Sequence, residues 1–89
     1  MYAILIYDIT DSARLNRVHK ICGKYLYWIQ NSVFEGEIRE SSFAKMESEI
    51  RKVINKETDS VITFQFQSVG RVEKRVIGVE KNEPISEIW

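Results

Sequence analysis

Apolar positions run without a break from residue 2 to residue 7. Tyr2, Ile4 and Ile6 fall on one side and Ala3, Leu5 and Tyr7 on the other, because successive strand side chains point to opposite faces. The pattern predicts a strand over residues 2–9 that is covered on both faces. Asp8 puts a charge near its end, where burial without a partner would be costly. Thr10, Asp11 and Ser12 are all suited to cap a helix. Leu15, Val18, Cys22 and Leu26 then recur at helical spacing and predict a helix with one buried stripe, whose last turn Gly23 weakens.

The segment WIQNSVFEG, residues 28–36, reads as a second strand with apolar groups on both faces. Gly36 marks a bend into a short third strand, EIR. Ser41 or Ser42 starts a second helix with Phe43, Met46, Ile50 and Val53 or Ile54 inward. NKETDS is a polar loop, and VITFQF a fourth strand with Ile62, Phe64 and Phe66 on one face. RVEKRVIGV predicts a fifth strand centred on residues 76–79. The order is that of an α+β, ferredoxin-like βαββαβ fold with an extra C-terminal strand. It implies a four-stranded antiparallel sheet with both helices on one face, in a single domain over residues 1–89. The other face is not polar, so self-association is the expected cover. The tail, about residues 80–89, ends in Ile85, Ile88 and Trp89 and is expected to dock on a partner subunit.

Composition narrows the chemistry. With 44% hydrophobic and 11% aromatic residues, the 89-residue chain can build a core without a metal or disulfide staple. A single cysteine, Cys22, excludes an intramolecular disulfide and a cysteine-rich zinc site, and its spacing assigns it to the core. The formal net charge is zero, so nucleic-acid binding would need a local basic face. No apolar run is long enough to span a bilayer and no signal-type segment opens the chain, which points to a cytoplasmic protein.

Asp8 has two readings. It is a capping or turn acid satisfied by backbone N–H groups, or it is a metal ligand or general acid/base. One carboxylate is too few for a hard divalent ion, which takes about six oxygens. A two-fold axis near Asp8 would supply a second, and the pair would bind a cation or share a proton. Arg14, Arg17 and Lys20 fall on one exposed helix flank, with Lys24 a turn further on; Arg71, Lys74 and Arg75 form a second cluster. Both are either solvated surface or phosphate contacts. The acids Glu35, Glu37, Glu40, Glu47, Glu49 and Glu57 lie elsewhere in the chain. His19, the only histidine, reads as a surface helix residue rather than a catalyst, Tyr7 as packing or as orienting Asp8, with packing favoured, and Ser32 as a simple hydrogen-bonding group. There is no Ser-His-Asp order, Gly-rich phosphate loop or metal-binding histidine pair.

IYDI closing on Asp8, then RLNRVHKIC, IQNSVFEG, DSVITF and KRVIGVEKNEP resemble the small CRISPR-associated adaptation protein family. These are dimeric ferredoxin-like partners of the CRISPR integrase, and the resemblance covers nearly the whole chain. It implies a homodimer with facing sheets. Asp8 and its symmetry mate would flank a Mg²⁺ (or Mn²⁺) site, making Asp8 both metal ligand and catalytic residue of an endonuclease on single-stranded RNA or double-stranded DNA. It also implies a non-enzymatic role: the dimer bridges integrase dimers and holds prespacer DNA through its basic residues, Arg14 and Arg17 by match of position and, less directly, the cluster of Arg71, Lys74 and Arg75. A purely structural scaffold, in which Asp8 is not catalytic, is the alternative. The chain departs from the family pattern at Tyr27 and Trp28, where charged residues commonly stand.

Overall fold

The computed structural model describes residues 1–67 and 72–81. The elements follow as β1 (Tyr2–Asp8), α1 (Ser12–Tyr25), β2 (Tyr27–Gln30), β3 (Val33–Glu37), α2 (Glu40–Arg51) and β4 (Ser60–Phe66). The strands lie in the order β2-β3-β1-β4, and every pairing is antiparallel. This is the expected α+β arrangement, with β1 at the centre of the sheet. No described helix is long and apolar enough to cross a membrane.

Alternation in β1 decides where the core sits. Ala3, Leu5 and Tyr7 are buried and meet Phe34 of β3, Val18, Ile21 and Cys22 of α1, and Phe43, Met46 and Ile50 of α2. Both helices therefore cover the same face. Cys22 is part of this core, and burial pushes its thiol pKa up to about 12, so it stays protonated. Asp11 is the N-cap of α1, its carboxylate accepting from the Arg14 N–H at 2.9 Å. The helix stops when Leu26 turns extended while still donating its N–H to the Cys22 carbonyl at 2.8 Å. At the far ends of the two helices, Lys24 and the Tyr25 hydroxyl both donate to Glu49.

The residues read as one strand, 28–36, form a hairpin. Asn31 sits between β2 and β3 at φ 45°, a left-handed conformation that asparagine tolerates better than most residues. The Trp28 indole closes the turn by donating to the Asn31 carbonyl at 3.0 Å. The pairing also slips between Trp28 and Gln30, as a bulge allows. EIR is not a separate strand: Glu37 ends β3, Ile38 is buried, and Arg39 is the N-cap of α2. Gly36 lies inside β3 opposite Ala3 rather than at a bend. A Cβ there would come within 3.2 Å of the Tyr27 ring, so a side chain would crowd it and the ring would have to give by a few tenths of an ångström.

The fifth strand expected over residues 71–79 is not formed in its described part, since residues 72–81 are irregular. Within one chain, Val72 and Lys74 instead lie against Tyr2, Ile4 and Phe66 on the side of the sheet away from the helices. The predicted docking tail from residue 82 onward lies outside the described residues.

Candidate functional site at the end of the first strand

Register carries Asp8 onto the face that the helices leave open. β1 pairs with β4 as Tyr2 with Phe66, Ile4 with Phe64, Ile6 with Ile62 and Asp8 with Ser60. Even-numbered residues of both strands share one face. That face is an apolar stripe ending in a carboxylate. Ile62, Phe64 and Phe66 are 51%, 50% and 45% exposed, so the described residues of one chain leave much of this face uncovered, although the sequence pattern expects it to be covered.

Asp8 itself is exposed, and its carboxylate has no hydrogen bond or ion pair among the described residues. The capping role belongs to Asp11, three residues on. A shallow depression beside Asp8 is lined by Tyr7, Ile9, Leu15, Asn31 and Ser32. Tyr7 does not orient Asp8: its side chain is on the helix face, as the packing assignment expects. Among the described residues no three His, Cys, Asp or Glu side chains gather closely enough to hold a metal ion. At Asp8 the described residues of one chain therefore do not supply the oxygens a hard divalent cation takes, and a second Asp8 across a two-fold axis would add a second carboxylate there.

The basic residues divide. Arg17 and Lys20 stand exposed on α1, as expected. Arg14 does not stand with them as a free surface charge. Its Nε donates to Asp59 Oδ2 at 2.8 Å and its Nη2 to Asp59 Oδ1 at 3.2 Å, leaving the side chain only 27% exposed. The acids are thus less segregated than the sequence suggests, with Asp59 and Asp11 beside Arg14 and Glu49 beside Lys24. Lys74 pairs with Glu80 at 2.9 Å and Glu35 at 3.8 Å, near Tyr2. Tyr2 and Asp8 are the two ends of a seven-residue strand, roughly 20 Å apart at about 3.3 Å per residue. One chain therefore does not bring Lys74 to Asp8. Arg75 is exposed, and Arg71 lies outside the described residues.

Two residues matter more than their places in the sequence suggest. Asp59 sits in the loop read only as polar, yet its side chain is fully covered and the Arg14 guanidinium holds its carboxyl far below the usual carboxylate range. Nothing local in the sequence links it to an arginine 45 residues away. His19 is half-buried rather than on the surface. Its Nδ1 is hydrogen-bonded to the Tyr7 oxygen at 2.9 Å, and its ring stands edge-on to Phe34 and Trp28 at centroid distances of 5.0 and 5.8 Å. A signal was present: His19 is four residues from Leu15 and three from Cys22, on the buried stripe.

A family model described as CRISPR associated protein Cas2 matches residues 1–73. The CRISPR-associated endoribonuclease Cas2 of Dictyoglomus turgidum is 45% identical over 83 residues, 93% of this chain and 94% of that protein. A protein of Thermodesulfovibrio yellowstonii named CRISPR-associated endoribonuclease Cas2 3 is 48% identical over 80 residues, 90% of each chain. A solved structure described as the crystal structure of cas2 superposes with a TM-score of 0.78 at 37% identity, covering 91% of this chain and 90% of that one.

Proposed function

This chain belongs to the family of CRISPR-associated protein Cas2, and on that premise we propose that it serves CRISPR adaptation as a homodimer with a phosphodiester-cleaving centre at paired Asp8 residues. The observation that carries the reading is the Asp8 carboxylate, exposed and unpartnered among the described residues at the end of the apolar open face. A second copy packed on that face would bury Ile4, Ile6, Ile62, Phe64 and Phe66, and a two-fold axis near the β1 end would set the two carboxylates facing each other. Two carboxylates held close favour either a cation or a shared proton. A Mg²⁺ or Mn²⁺ bound there would supply Lewis-acid stabilisation and an activated water for attack on phosphorus. Asp8 would hold and orient that centre, while Arg17 and Lys20 draw the phosphate backbone to it without reading sequence. Lys74, held by Glu80 and Glu35, and the exposed Arg75 form a second patch toward the far end of the sheet, suited to a longer nucleic acid or to the integrase subunit. The substrate class is single-stranded RNA or duplex DNA, and the name endoribonuclease carried by the relatives favours RNA.

A non-catalytic reading rests on Asp8 being the one acidic residue that lines the depression at the end of β1. There the dimer is a scaffold that bridges integrase dimers and holds prespacer DNA through its basic flanks. One experiment separates the two. Purified wild type and Asp8→Ala are incubated with labelled RNA and duplex DNA in Mg²⁺, Mn²⁺ or chelator, alongside duplex-binding titrations. Metal-dependent cleavage that vanishes in the variant, with binding retained, supports the nuclease. Cleavage absent from both, or equal in both, leaves the scaffold.

A further inference from the structure

The β1–α1 turn leaves the sheet directly after Asp8, and the segment entering β4 arrives directly opposite it, since Asp8 pairs with Ser60. A single carboxylate joins these two segments. Asp59 Oδ1 accepts from the Thr10 N–H at 3.2 Å, the Thr10 hydroxyl at 3.3 Å, the Thr58 hydroxyl at 3.3 Å and Arg14 Nη2 at 3.2 Å. Asp59 Oδ2 accepts from Arg14 Nε at 2.8 Å and the Asn55 N–H at 2.9 Å. Both oxygens are fully used, and the side chain is covered by the groups it binds. Arg14 in turn donates to the Thr10 hydroxyl at 3.3 Å.

We infer that Asp59 is a positioning residue for Asp8, with Arg14 as its internal counter-ion rather than a phosphate contact. The inference rests on the proposed role of Asp8. Asp8 has no partner of its own among the described residues, so nothing but its backbone sets where its carboxylate points. That backbone is held on the β4 side by the ladder and on the α1 side by the Asp59 clasp. A bidentate arginine–carboxylate pair fixes both distance and plane, which a lone hydrogen bond does not. Catalytic geometry is sensitive to shifts of about 1 Å, so a loosened turn should be felt at Asp8 before it is felt in the core.

The test uses the full chain with Asp59→Asn, Arg14→Gln and the milder Thr10→Val, which removes one hydroxyl and keeps the ion pair. In RNA cleavage with Mn²⁺, Asp59→Asn and Arg14→Gln should lower kcat by about tenfold or more with KM within about twofold, the pattern of a displaced catalytic group. Thr10→Val should fall between these and wild type. The slope of log Kd for duplex DNA against log salt should be unchanged by Arg14→Gln, whereas Arg17→Gln should lower it by about one for each phosphate that Arg17 neutralises. A folded Asp59→Asn with wild-type kcat, or an Arg14→Gln slope that falls like that of Arg17→Gln, overturns the inference. If wild type cleaves nothing, the nuclease reading fails and amide exchange decides the clasp. Faster exchange confined to Asp8 and Thr10 in Asp59→Asn, with Leu5 and Phe34 unchanged, supports it; uniform acceleration or no change refutes it.

Discussion

Tyr7 and His19 are hydrogen-bonded, oxygen to Nδ1, over 2.9 Å across the layer between the central strand and the first helix. Tyr7 is 4% exposed, and Phe34 lies against both rings, at 6.3 Å from Tyr7 and 5.0 Å from His19 between centroids. The site face and the core face of β1 thus differ sharply: Asp8 looks out without a partner among the described residues, while its neighbour Tyr7 is locked inward.

Burial lowers the His19 pKa from its ordinary value and raises that of Tyr7. For His19 the unfolded chain binds more protons than the folded one, so stability rises with pH across the window below the unfolded pKa. The contribution is complete above about pH 6.5 and is lost as pH falls below it. Thermal melts should therefore show a midpoint that drops between pH 7 and 5 in wild type and is flatter in His19→Gln. Asp59 and Glu49, whose carboxyls are lowered by Arg14 and by Lys24 with Tyr25, contribute above about pH 4 and lose it only at greater acidity. A wild-type midpoint level from pH 7 to 5 would contradict the assignment.

Phe34 is fully buried and fills the space between Tyr7, His19 and the helices. Phe34→Ala should cost about 3–5 kcal/mol by urea unfolding. Against a typical total of about 5–15 kcal/mol, that would bring the isolated chain close to unfolding. A loss under about 1 kcal/mol would mean the core collapses around the gap.

Two glycines should respond in opposite directions. Gly36 has φ 157°, and an added Cβ would meet the Tyr27 ring at 3.2 Å and a Leu26 methyl at 3.6 Å. Gly36→Ala should destabilise by about 1–3 kcal/mol through overpacking. Gly23 lies in α1 with nothing within 4 Å of where a methyl group would stand, so Gly23→Ala should stabilise by about 0.5–1 kcal/mol. Melting midpoints of the two variants decide it, and a shift in the same direction would count against the close β2–β3 approach.

Phe64 is half-exposed at the centre of the open face, opposite Ile4. If the proposed dimer forms through this face, Phe64→Glu should leave the far-ultraviolet spectrum and the folded core intact and shift sedimentation from dimer to monomer, because a charge at the centre of an apolar seam is left unpaired. Sedimentation as a dimer in the variant would place the interface elsewhere.

Much of the fold was legible because apolar periodicity is local. The apolar run of β1 predicted a strand and sorted Ala3, Leu5 and Tyr7 from Tyr2, Ile4 and Ile6 without saying which set meets the helices, while the stripes of α1 and α2 named Val18, Cys22, Phe43, Met46 and Ile50. The hairpin at residues 28–36 was not legible, because its two strands are both apolar and the turn rests on one asparagine in a left-handed conformation. The βαββαβ order was still reached, since EIR stood in for the strand that disappears when the hairpin is read as one. Residues 71–79 have strand-like composition, but composition supplies no partner edge, and the described part of the segment stays irregular in one chain.

The sequence by itself determined the two sets of β1 side chains, the stripe of α1 and the short stretch from which its cap comes, the burial of Cys22, and the presence of an acid where the first strand ends. These depend on residues within a few positions of one another, where backbone geometry dictates direction. Only the tertiary structure decided which charges are free. Arg14 and Arg17 look alike along the helix, yet one is bound by Asp59 and the other stands in solvent. For His19 the helical stripe signals burial, but only the fold supplies Tyr7 as its partner. Pairing of this kind is set by which loops and strands come to lie side by side, and separations of 45 and 12 residues leave no local pattern from which to read it.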